Sequence, residues 1–230
     1  MTKLVIFSIM HIKQIGKVLT GGTNMKNPLH YQLSEYDCGP TAMLNAISFL
    51  FEREEISPVI IRNIMLYCLD CYDGDGIMGK SGTSSAAMMF LSNWLNGYGK
   101  IGQLPVSSTY LSGKSVRIGK DSLVNDALCR GGAVIVRLYY ECAHYVLLTG
   151  IQDGKILMFD PYYAEEEYGE PGIIQVKDQP FWYNRIVDEE RFNRKTTELY
   201  ALGPEEGREA VIIYNENTKK TMEKTIEYFI

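Results

Sequence analysis

Cys38 stands where the sequence predicts the start of a helix. The stretch YQLSEYDCGPTAMLNAISFLF, residues 31–51, places Cys38, Gly39 and Pro40 ahead of a run of good helix formers. Proline is favoured at the first helical position because its missing N–H would have no partner there. We therefore predict a helix over about 40–53. The unpaired N–H groups at its start would favour a thiolate at Cys38, the nucleophilic form of cysteine.

The alternative is that Cys38 is a small apolar core residue, and a nearby base would decide between the two readings. The chain contains three histidines. His11 lies near the N-terminus, and His30 is only eight residues before Cys38. His144 lies in ECAHYVLLTG at the start of an apolar strand, where a fixed backbone could aim its ring at a thiol. A satisfied core histidine is the alternative interpretation of His144.

Asp160 is the candidate for the carboxylate that would orient such a histidine. It ends the strand KILMFD, and Asp153-Gly154, between this strand and the His144 strand, is a strong hairpin signal. With the turn centred there, residue 144 lies opposite roughly 163 and near 160–162. The carboxylate would fix the tautomer of the imidazole and stabilise the imidazolium. The alternative is a turn-forming aspartate ahead of a proline.

Gln32, six residues before Cys38, could direct its amide N–H at the oxygen of a substrate carbonyl. Together with the Cys38 backbone N–H it would complete an oxyanion hole. None of these residues is diagnostic alone. A cysteine at a helix start, then a histidine on a strand and an aspartate on the next strand, together predict a nucleophilic site. Its members are Gln32, Cys38, His144 and Asp160.

Three other features have weaker support as sites. Cys68 and Cys71 form a C-x-x-C pair in a predicted helix, but the second pair that a structural zinc site needs is absent. A thioredoxin-like role lacks its βαβ context. Cys142 shares a strand face with the histidine and is the rival nucleophile, although no helix start would stabilise its thiolate. DGDG at 73–76 starts like a calcium loop, but Ser84 stands where the bidentate Glu belongs, so we predict a turn.

The elements that must hold these residues change character along the chain. Besides the helix after Cys38, apolar spacing predicts helices over VIIRNIMLYCLDC, TSSAAMMFLSNWLNGYG and DSLVNDALCR. The second half is rich in β-branched and aromatic residues, in AVIVRLYY, HYVLLTGI, KILMFD, GIIQV and AVIIYN, with a polar helix from about Thr218. Helices first and antiparallel strands second predict an α+β fold.

Length and composition indicate one ordinary globular domain. The chain has 230 residues, a formal net charge of −5, 46% hydrophobic and 22% charged residues. Nothing in it suggests a basic nucleic-acid-binding surface, and no apolar run approaches the ~20 residues that span a bilayer. Five cysteines, an odd number, argue against a secreted disulfide framework and favour a reducing cytoplasm.

Residues 1–25 are interpreted as an N-terminal extension. KLVIFSIMHI faintly resembles the apolar core of a signal peptide, but no small-residue cleavage pattern follows it. Met25 begins MKNPLHYQLSEYDCG, which reads like a natural start of the domain. We therefore expect the domain to cover 26–230, with a C-terminal elaboration from about 166.

The candidate residues resemble the motifs of a known family. Gln32, DCGPT around Cys38, AHYVLLTGI around His144 and FDPYY around Asp160 are similar to those of the double-glycine-leader peptidases. These are papain-like cysteine peptidases, best known as the N-terminal domain of bacteriocin-exporting ABC transporters. The resemblance covers roughly residues 28–165. It implies a papain-like α+β fold, a triad of the cysteine, histidine and aspartate, and an oxyanion-hole role for the glutamine.

The sequence departs from that family in two respects. No transporter membrane segment or nucleotide-binding motif follows, so any coupling to export would need a separate protein. Residues 166–230 lie outside the family core; their AEEEYGE and FWYN stretches are either solvated loop and core packing or a rim that selects the substrate. Gly21-Gly22 resembles the family's substrate motif, but the usual acidic residue before it is lacking. A chance glycine pair is therefore preferred to self-processing.

The sequence thus predicts a cytoplasmic cysteine peptidase that hydrolyses a peptide or amide bond, after a Gly-Gly type leader if the resemblance extends that far. Two alternatives stay open. One is an acyltransferase or amidase of a biosynthetic pathway, and the other is a non-catalytic peptide-binding module. A peptide substrate is the expected partner. We expect no nucleic acid, no metal and no cofactor.

Overall fold

The structure, a computed structural model, describes residues 25–221. Apart from Met25, the predicted extension over 1–25 lies outside the described residues, and so do His11 and the Gly21-Gly22 pair. Most of the helix predicted from about Thr218 also lies outside them, and the part that is described, 218–221, is not helical. Within 25–221, no helix is long and apolar enough to cross a membrane.

Helices dominate the part of the chain before residue 130. Three of them begin after a serine whose side chain accepts a backbone N–H from the first turn, Ser57 from Val59, Ser84 from Ala87 and Ser122 from Asn125, as is usual for N-caps. The helices are α1 (Cys38–Leu50), α2 (Pro58–Tyr67), α3 (Ser85–Lys100), α4 (Leu123–Cys129) and α5 (Glu189–Phe192), with 3₁₀ turns at Arg53–Glu55, Gly113–Ser115 and Glu205–Gly207.

Two helix boundaries differ from the prediction, and both affect cysteines. α1 begins at Cys38, two residues before the predicted Pro40, and ends at Leu50, earlier than predicted. Pro40 takes the third helical position, where an N–H would also lack an intrahelical partner. α2 ends at Tyr67 because the backbone of Cys68 is extended. The C-x-x-C pair therefore lies in the loop after α2 and not within a helix.

The strands form one seven-stranded antiparallel sheet in the order β1-β7-β2-β3-β4-β6-β5. The predicted α+β class, with a helical first half packed on an antiparallel sheet, is confirmed. Sequence patterning missed β1, which is rich in serine, and β6, which is only four residues long. The strands are β1 (Val106–Ser112), β2 (Ala133–Tyr140), β3 (Cys142–Gln152), β4 (Lys155–Phe159), β5 (Ile173–Gln175), β6 (Arg185–Asp188) and β7 (Glu209–Asn215).

The hairpin between β3 and β4 has the predicted turn. Asp153 and Gly154 both have positive φ, 51° and 73°, as a two-residue type I′ turn requires. Thr149 is an extra residue in β3: Gly150 pairs with Leu157, but the next pair is Leu148 with Met158. The register before this β-bulge is therefore shifted by one residue from the one that the turn alone predicts.

Each face of the sheet has its own hydrophobic core. On one face, buried side chains of α1, α2 and α3, such as Ile47 and Leu91, pack against Leu147 of β3. On the other, α4 and α5 pack with Tyr200 against Val146 of β3. β3 is thus buried on both sides, which fixes the backbone that carries His144.

Candidate active site

The start of α1 is packed against the residue that precedes the N-cap of α3. Cys38 is buried and occupies the first helical position. A Cβ atom added at Gly39 would lie 2.6 Å from Oγ1 and 2.8 Å from Cβ of Thr83, closer than real contacts allow. The glycine at position 39 therefore permits close packing rather than flexibility. This contact fixes the helix start that carries Cys38.

Asp37 ties the preceding loop to the same helix start. Its buried carboxylate accepts the backbone N–H groups of Leu33 at 2.9 Å and Ser34 at 2.6 Å, and the Ser34 hydroxyl at 2.6 Å. Burial opposes ionisation, but these hydrogen bonds outweigh it and lower the pKa of Asp37. The loop that carries Gln32 is thereby held against the start of α1. Sequence reasoning missed this residue, although its type and position are typical of a helix N-cap.

His144 and Asp160 form a buried pair. His144 Nε2 lies 2.7 Å from Asp160 Oδ1, and Asp160 has no exposed surface. Burial alone would lower the pKa of His144, but the charge and hydrogen bond of Asp160, with smaller contributions from Cys38, raise it to about 10. Burial likewise opposes ionisation of Asp160, yet the imidazolium and three hydrogen bonds lower the pKa of that carboxyl. Both shifts favour an imidazolium–carboxylate pair.

Cys38 is the other group that acts on the His144 ring. Its side chain lies close enough to the ring to raise the pKa of the imidazole. Nε2 is bonded to Asp160, so Nδ1 is the ring nitrogen that remains open to a thiol. A thiol, an imidazole and a carboxylate in this order can serve as a nucleophile, its base and the group that orients the base. Three of the four predicted residues are thus brought together.

Asn184 fixes the backbone of Asp160. Its Nδ2 donates to the Asp160 carbonyl oxygen and its Oδ1 accepts the Asp160 N–H, both at 2.8 Å. The backbone N–H of Tyr162 donates to Asp160 Oδ1, also at 2.8 Å. Asn184 is the last residue of the FWYN stretch, for which the sequence left two interpretations open: solvated loop and core packing, or a rim that selects the substrate. No local pattern signals an amide that bridges to a residue 24 positions away.

Tyr200 and Arg185 are two further residues that sequence reasoning missed. The Tyr200 hydroxyl donates to Asp160 Oδ2 at 2.7 Å, and Arg185 Nε donates to the Tyr200 oxygen at 3.2 Å. Both residues are buried and both follow residue 166. The part of the chain outside the family core therefore contacts the candidate site directly.

Gln32 is anchored beside the site. Its backbone N–H donates to the carbonyl of Pro161, the residue after Asp160, at 2.8 Å. Its Nε2 donates to the Ser34 carbonyl at 2.7 Å, the one hydrogen bond that this atom makes within 25–221. An amide nitrogen carries two hydrogens, so one N–H is left for another acceptor. Oε1 is buried without a partner among the described residues.

The remaining thiols differ from Cys38. Cys68 is buried, and burial raises its pKa to about 12, so its thiolate is strongly disfavoured. Burial and the neighbouring Asp70 raise the pKa of Cys71. Cys142 is exposed, and it is not among the groups that shift the pKa of His144. These observations favour Cys38 over its rivals.

The loop at 73–76 forms a turn. Asp73 Oδ1 accepts the N–H groups of Asp75 and Ile77 at 3.0 Å and 2.8 Å, so it is engaged within its own loop. In the part of the chain that the structure describes, no group of three or more His, Cys, Asp or Glu side chains is arranged to hold a metal ion.

A cleft of about 220 Å³ lies next to the loop that carries Gln32. Tyr31 and Tyr163 form one of its walls, with their ring centroids 5.1 Å apart, and Lys177 and Arg185 add positive charge to the lining. Neither this cleft nor a larger cavity of about 610 Å³ includes any of the four candidate residues in its lining. The smaller cleft adjoins the candidate site through Tyr31, which precedes Gln32 in the chain, and through Arg185, which contacts Tyr200.

Comparison with known proteins gives similarity in structure but no match in sequence. No protein-family model matches the chain, and no curated protein matches its sequence. Among solved structures, the chain is similar to the crystal structure of the peptidase domain of Streptococcus mutans ComA, at 13% sequence identity and a TM-score of 0.35. The match covers 81% of this chain and 98% of that domain. At this similarity, what the site can do has to be argued from its own contacts.

Proposed function

We propose that this chain is a cysteine-dependent hydrolase of peptide or amide bonds. The observation that carries the proposal is the buried 2.7 Å contact between His144 Nε2 and Asp160 Oδ1, with Cys38 near enough to the ring to raise the pKa of the imidazole. A core histidine could be satisfied by one carboxylate. A nearby thiol at the first position of a helix adds a nucleophile that such a histidine would not need.

In the proposed reaction, the Cys38 sulfur attacks the carbonyl carbon of the scissile amide. The sulfur attacks as the thiolate of a thiolate–imidazolium pair, in which the thiol proton resides on His144, and Asp160 stabilises the imidazolium and holds its orientation. Collapse of the tetrahedral intermediate breaks the C–N bond, and His144 returns the proton to the leaving amine. Water, deprotonated by His144, then attacks the thioester and releases the carboxylic acid and the free thiol.

The negative charge on the oxygen of the tetrahedral intermediate needs hydrogen-bond donors to stabilise it. We assign this role to the backbone N–H of Cys38, which has no intrahelical partner at the first helical position, and to the remaining N–H of Gln32 Nε2. The Asp37 hydrogen bonds to Leu33 and Ser34 keep the glutamine loop in place, so the donors need little reorganisation when charge develops.

We propose a peptide as the substrate. Apolar side chains surround the glutamine loop: Leu33 is 97% exposed, and Tyr31 and Tyr36 are both 39% exposed. Exposed apolar residues beside a reactive group suit an extended or apolar peptide better than a small polar amide. Cleavage after a Gly-Gly type leader, in the cytoplasm and in cooperation with a separate exporter, is the finer proposal that the family resemblance of Gln32, Cys38, His144 and Asp160 supports.

The test is single-turnover cleavage of peptides that carry Gly-Gly before the scissile bond. The parent and Cys38→Ala are compared, and folding of both is checked by circular dichroism. We expect cleavage by the parent and its complete loss in Cys38→Ala. An acyl-enzyme of the parent, trapped at low pH and mapped to Cys38, would support the covalent route. Equal cleavage by the two proteins would refute the proposal.

The two alternatives give different results in the same assay. If an added amine such as glycinamide diverts nearly all the acyl group from water, the chain is an acyltransferase with the same nucleophile. If the parent binds the peptide but neither cleaves it nor forms an acyl-enzyme, the chain is a binding module.

A further inference from the structure

The two carboxylate oxygens of Asp160 have separate partners. Oδ1 accepts from His144 Nε2 at 2.7 Å and from the Tyr162 backbone N–H at 2.8 Å. Oδ2 accepts from the Tyr200 hydroxyl at 2.7 Å, its one hydrogen bond within the described residues. The orientation of the carboxylate is therefore set from both sides, and Tyr200 sets the side away from the imidazole.

The backbone at Tyr200 is strained and firmly held. Its φ is +64°, in the left-handed region that L side chains rarely adopt. Its N–H donates to the Tyr139 carbonyl at 2.8 Å, and the Tyr139 N–H donates to the Ala201 carbonyl at 2.9 Å. Tyr200 has no exposed surface. Such conformations persist where the surroundings over-determine them, and they concentrate at functional sites.

Arg185 determines the direction of the Tyr200 hydrogen bond. Its Nε donates to the Tyr200 oxygen at 3.2 Å, and a guanidinium can only donate. The single hydroxyl proton of Tyr200 is therefore directed to Asp160. Burial raises the pKa of Tyr200, which keeps that proton in place.

The positive charge of Arg185 is buried and is linked to Asp160 through Tyr200. Arg185 is 3% exposed, and within 25–221 it forms no ion pair with a carboxylate. Its Nη1 and Nη2 are held by the Asn184 carbonyl at 2.8 Å and the Tyr168 hydroxyl at 3.2 Å. A buried cation needs compensation. The negative charge that its hydrogen bonds reach is that of Asp160, through the Tyr200 hydroxyl.

We infer that Tyr200, polarised by Arg185, is a positioning residue that holds Asp160 ionised and aimed at His144. This inference rests on the proposed function and deepens it. It also gives a role to residues after 166, because Tyr200 in this part of the chain bonds the carboxylate oxygen of Asp160 that does not contact the imidazole. The alternative is that Tyr200 is a core residue whose hydroxyl contributes only to packing.

The test is the pH at which Cys38 begins to react. Without the Tyr200 hydroxyl, Asp160 Oδ2 loses its hydrogen bond and the carboxylate is no longer held in line with His144 Nε2. The imidazolium is then less stabilised, so the thiolate–imidazolium pair should form at higher pH. In Tyr200→Phe we expect the onset of Cys38 alkylation by iodoacetamide to rise by about one pH unit. The value of kcat should fall about tenfold with little change in KM, as loss of a hydrogen bond to a charged group predicts.

Other groups near Asp160 do not produce such a shift. The side chains that face it besides Tyr200 are His144 on β3, Tyr140 on β2, Arg185 on β6 and the adjacent Tyr162. Of these, only the histidine has an ordinary pKa near neutrality. Burial raises the pKa of Tyr140 further from that range.

The matched control is Tyr110→Phe. The Tyr110 hydroxyl donates to a carboxylate at the same distance, 2.7 Å, but its partner is Glu209. This variant should keep the parent onset. Because Tyr200→Phe could unfold at a strained position, Arg185→Lys is a second variant. Lysine keeps the charge but loses the planar fork, so we expect a smaller rise in onset pH. An unchanged onset in a folded variant of Tyr200 or Arg185 would overturn the inference.

The proposed function is tested separately by the parent protein. Exposed Cys142 serves as an internal reference, since both thiols are mapped in one digest. If Cys38 of the parent reacts at pH 6 no faster than Cys142, the thiolate–imidazolium pair does not form, and both the proposed function and the inference are wrong. If Cys38 of the parent reacts faster than Cys142 and the variants match the parent, only the role assigned to Tyr200 is wrong.

Discussion

His144 and Asp160 face the same side of the sheet because β3 contains one extra residue. In the register set by the turn, Asp160 would come opposite Leu147 and its side chain would point away from His144. The bulge at Thr149 shifts the pairing, so that Leu147 lies opposite Phe159 and Asp160 follows opposite Val146. A one-residue shift in register moves every side chain to the other face. The 2.7 Å hydrogen bond between His144 and Asp160 depends on that shift.

The reactivity of the thiols is the most direct prediction. With a limiting dose of iodoacetamide at pH 6, Cys38 should be labelled before the other four cysteines, because it is the thiol that we propose to pair with His144. Cys68 should be labelled last, since it is buried and its pKa is about 12. Peptide mapping by mass spectrometry gives the order. Labelling of Cys142 first would exclude the proposed nucleophile.

Gln32 should contribute to the transition state more than to binding. Gln32→Ala should lower kcat by about 10²–10³, as loss of a comparable oxyanion donor does, with KM nearly unchanged. Its free energy of unfolding should change little, because its side chain bonds only the Ser34 carbonyl within the described residues. A folded Gln32→Ala variant with the parent kcat would show that the oxyanion donor is another group.

The ion pair predicts a pH dependence of stability. The pKa of His144 is raised from 6.5 to about 10, so its contribution is complete below pH 6.5 and is lost as pH rises towards 10. The pKa of Asp160 is lowered below 3.8, so its contribution is lost in acid. The stability margin of the parent over Asp160→Asn should therefore be largest between about pH 4 and 6.5. Above pH 6.5 it should fall by at most about 1.4 kcal/mol per pH unit.

Urea unfolding at a series of pH values measures this margin. Asp178→Asn is the control, because Asp178 is exposed and its removal reports only the general effect of one charge. A margin for Asp160→Asn that stays constant from pH 5 to 9 would mean that His144 is not an imidazolium in the folded protein.

Gly39 should resist substitution for a steric reason. A methyl group there would lie 2.6 Å from Thr83 Oγ1, so Gly39→Ala should destabilise the fold by about 1–3 kcal/mol and lower activity. The matched control is Gly97→Ala, within helix α3, where an added Cβ meets nothing within 4 Å. That substitution should stabilise the protein by about 0.5–1 kcal/mol. Thermal unfolding of both variants checks the prediction, and a neutral Gly39→Ala would contradict the packing argument.

Much of the candidate site could be predicted because its signals are local. A cysteine before Gly39-Pro40, a histidine at the start of an apolar run and the Asp153-Gly154 turn each depend on a few adjacent residues. The Asp153-Gly154 turn signal alone predicted that β3 and β4 form a hairpin. The observed hairpin has Gln152 opposite Lys155. The succession of helical segments and then strand segments also predicted the α+β class correctly.

The residues that sequence reasoning missed are coupled over long separations. Asn184 reaches Asp160 across 24 residues and Tyr200 reaches it across 40. Each is an ordinary polar or aromatic residue in its own segment. Its role arises only when a strand or turn from the end of the chain is packed beside β4. Nothing in a local window of sequence distinguishes such a residue from one that is simply buried.

The sequence by itself determined the types and the order of the reactive groups: an amide, a thiol, an imidazole and a carboxylate at 32, 38, 144 and 160. Only the tertiary structure decided that the last two meet. The Thr149 bulge satisfies the packing of both faces of β3 at once, which no periodicity within the strand records. The helix start was decided in the same way, because close contact of Gly39 with Thr83 brings Cys38 into the first turn. Local preferences choose the elements, but burial on two sides fixes their register.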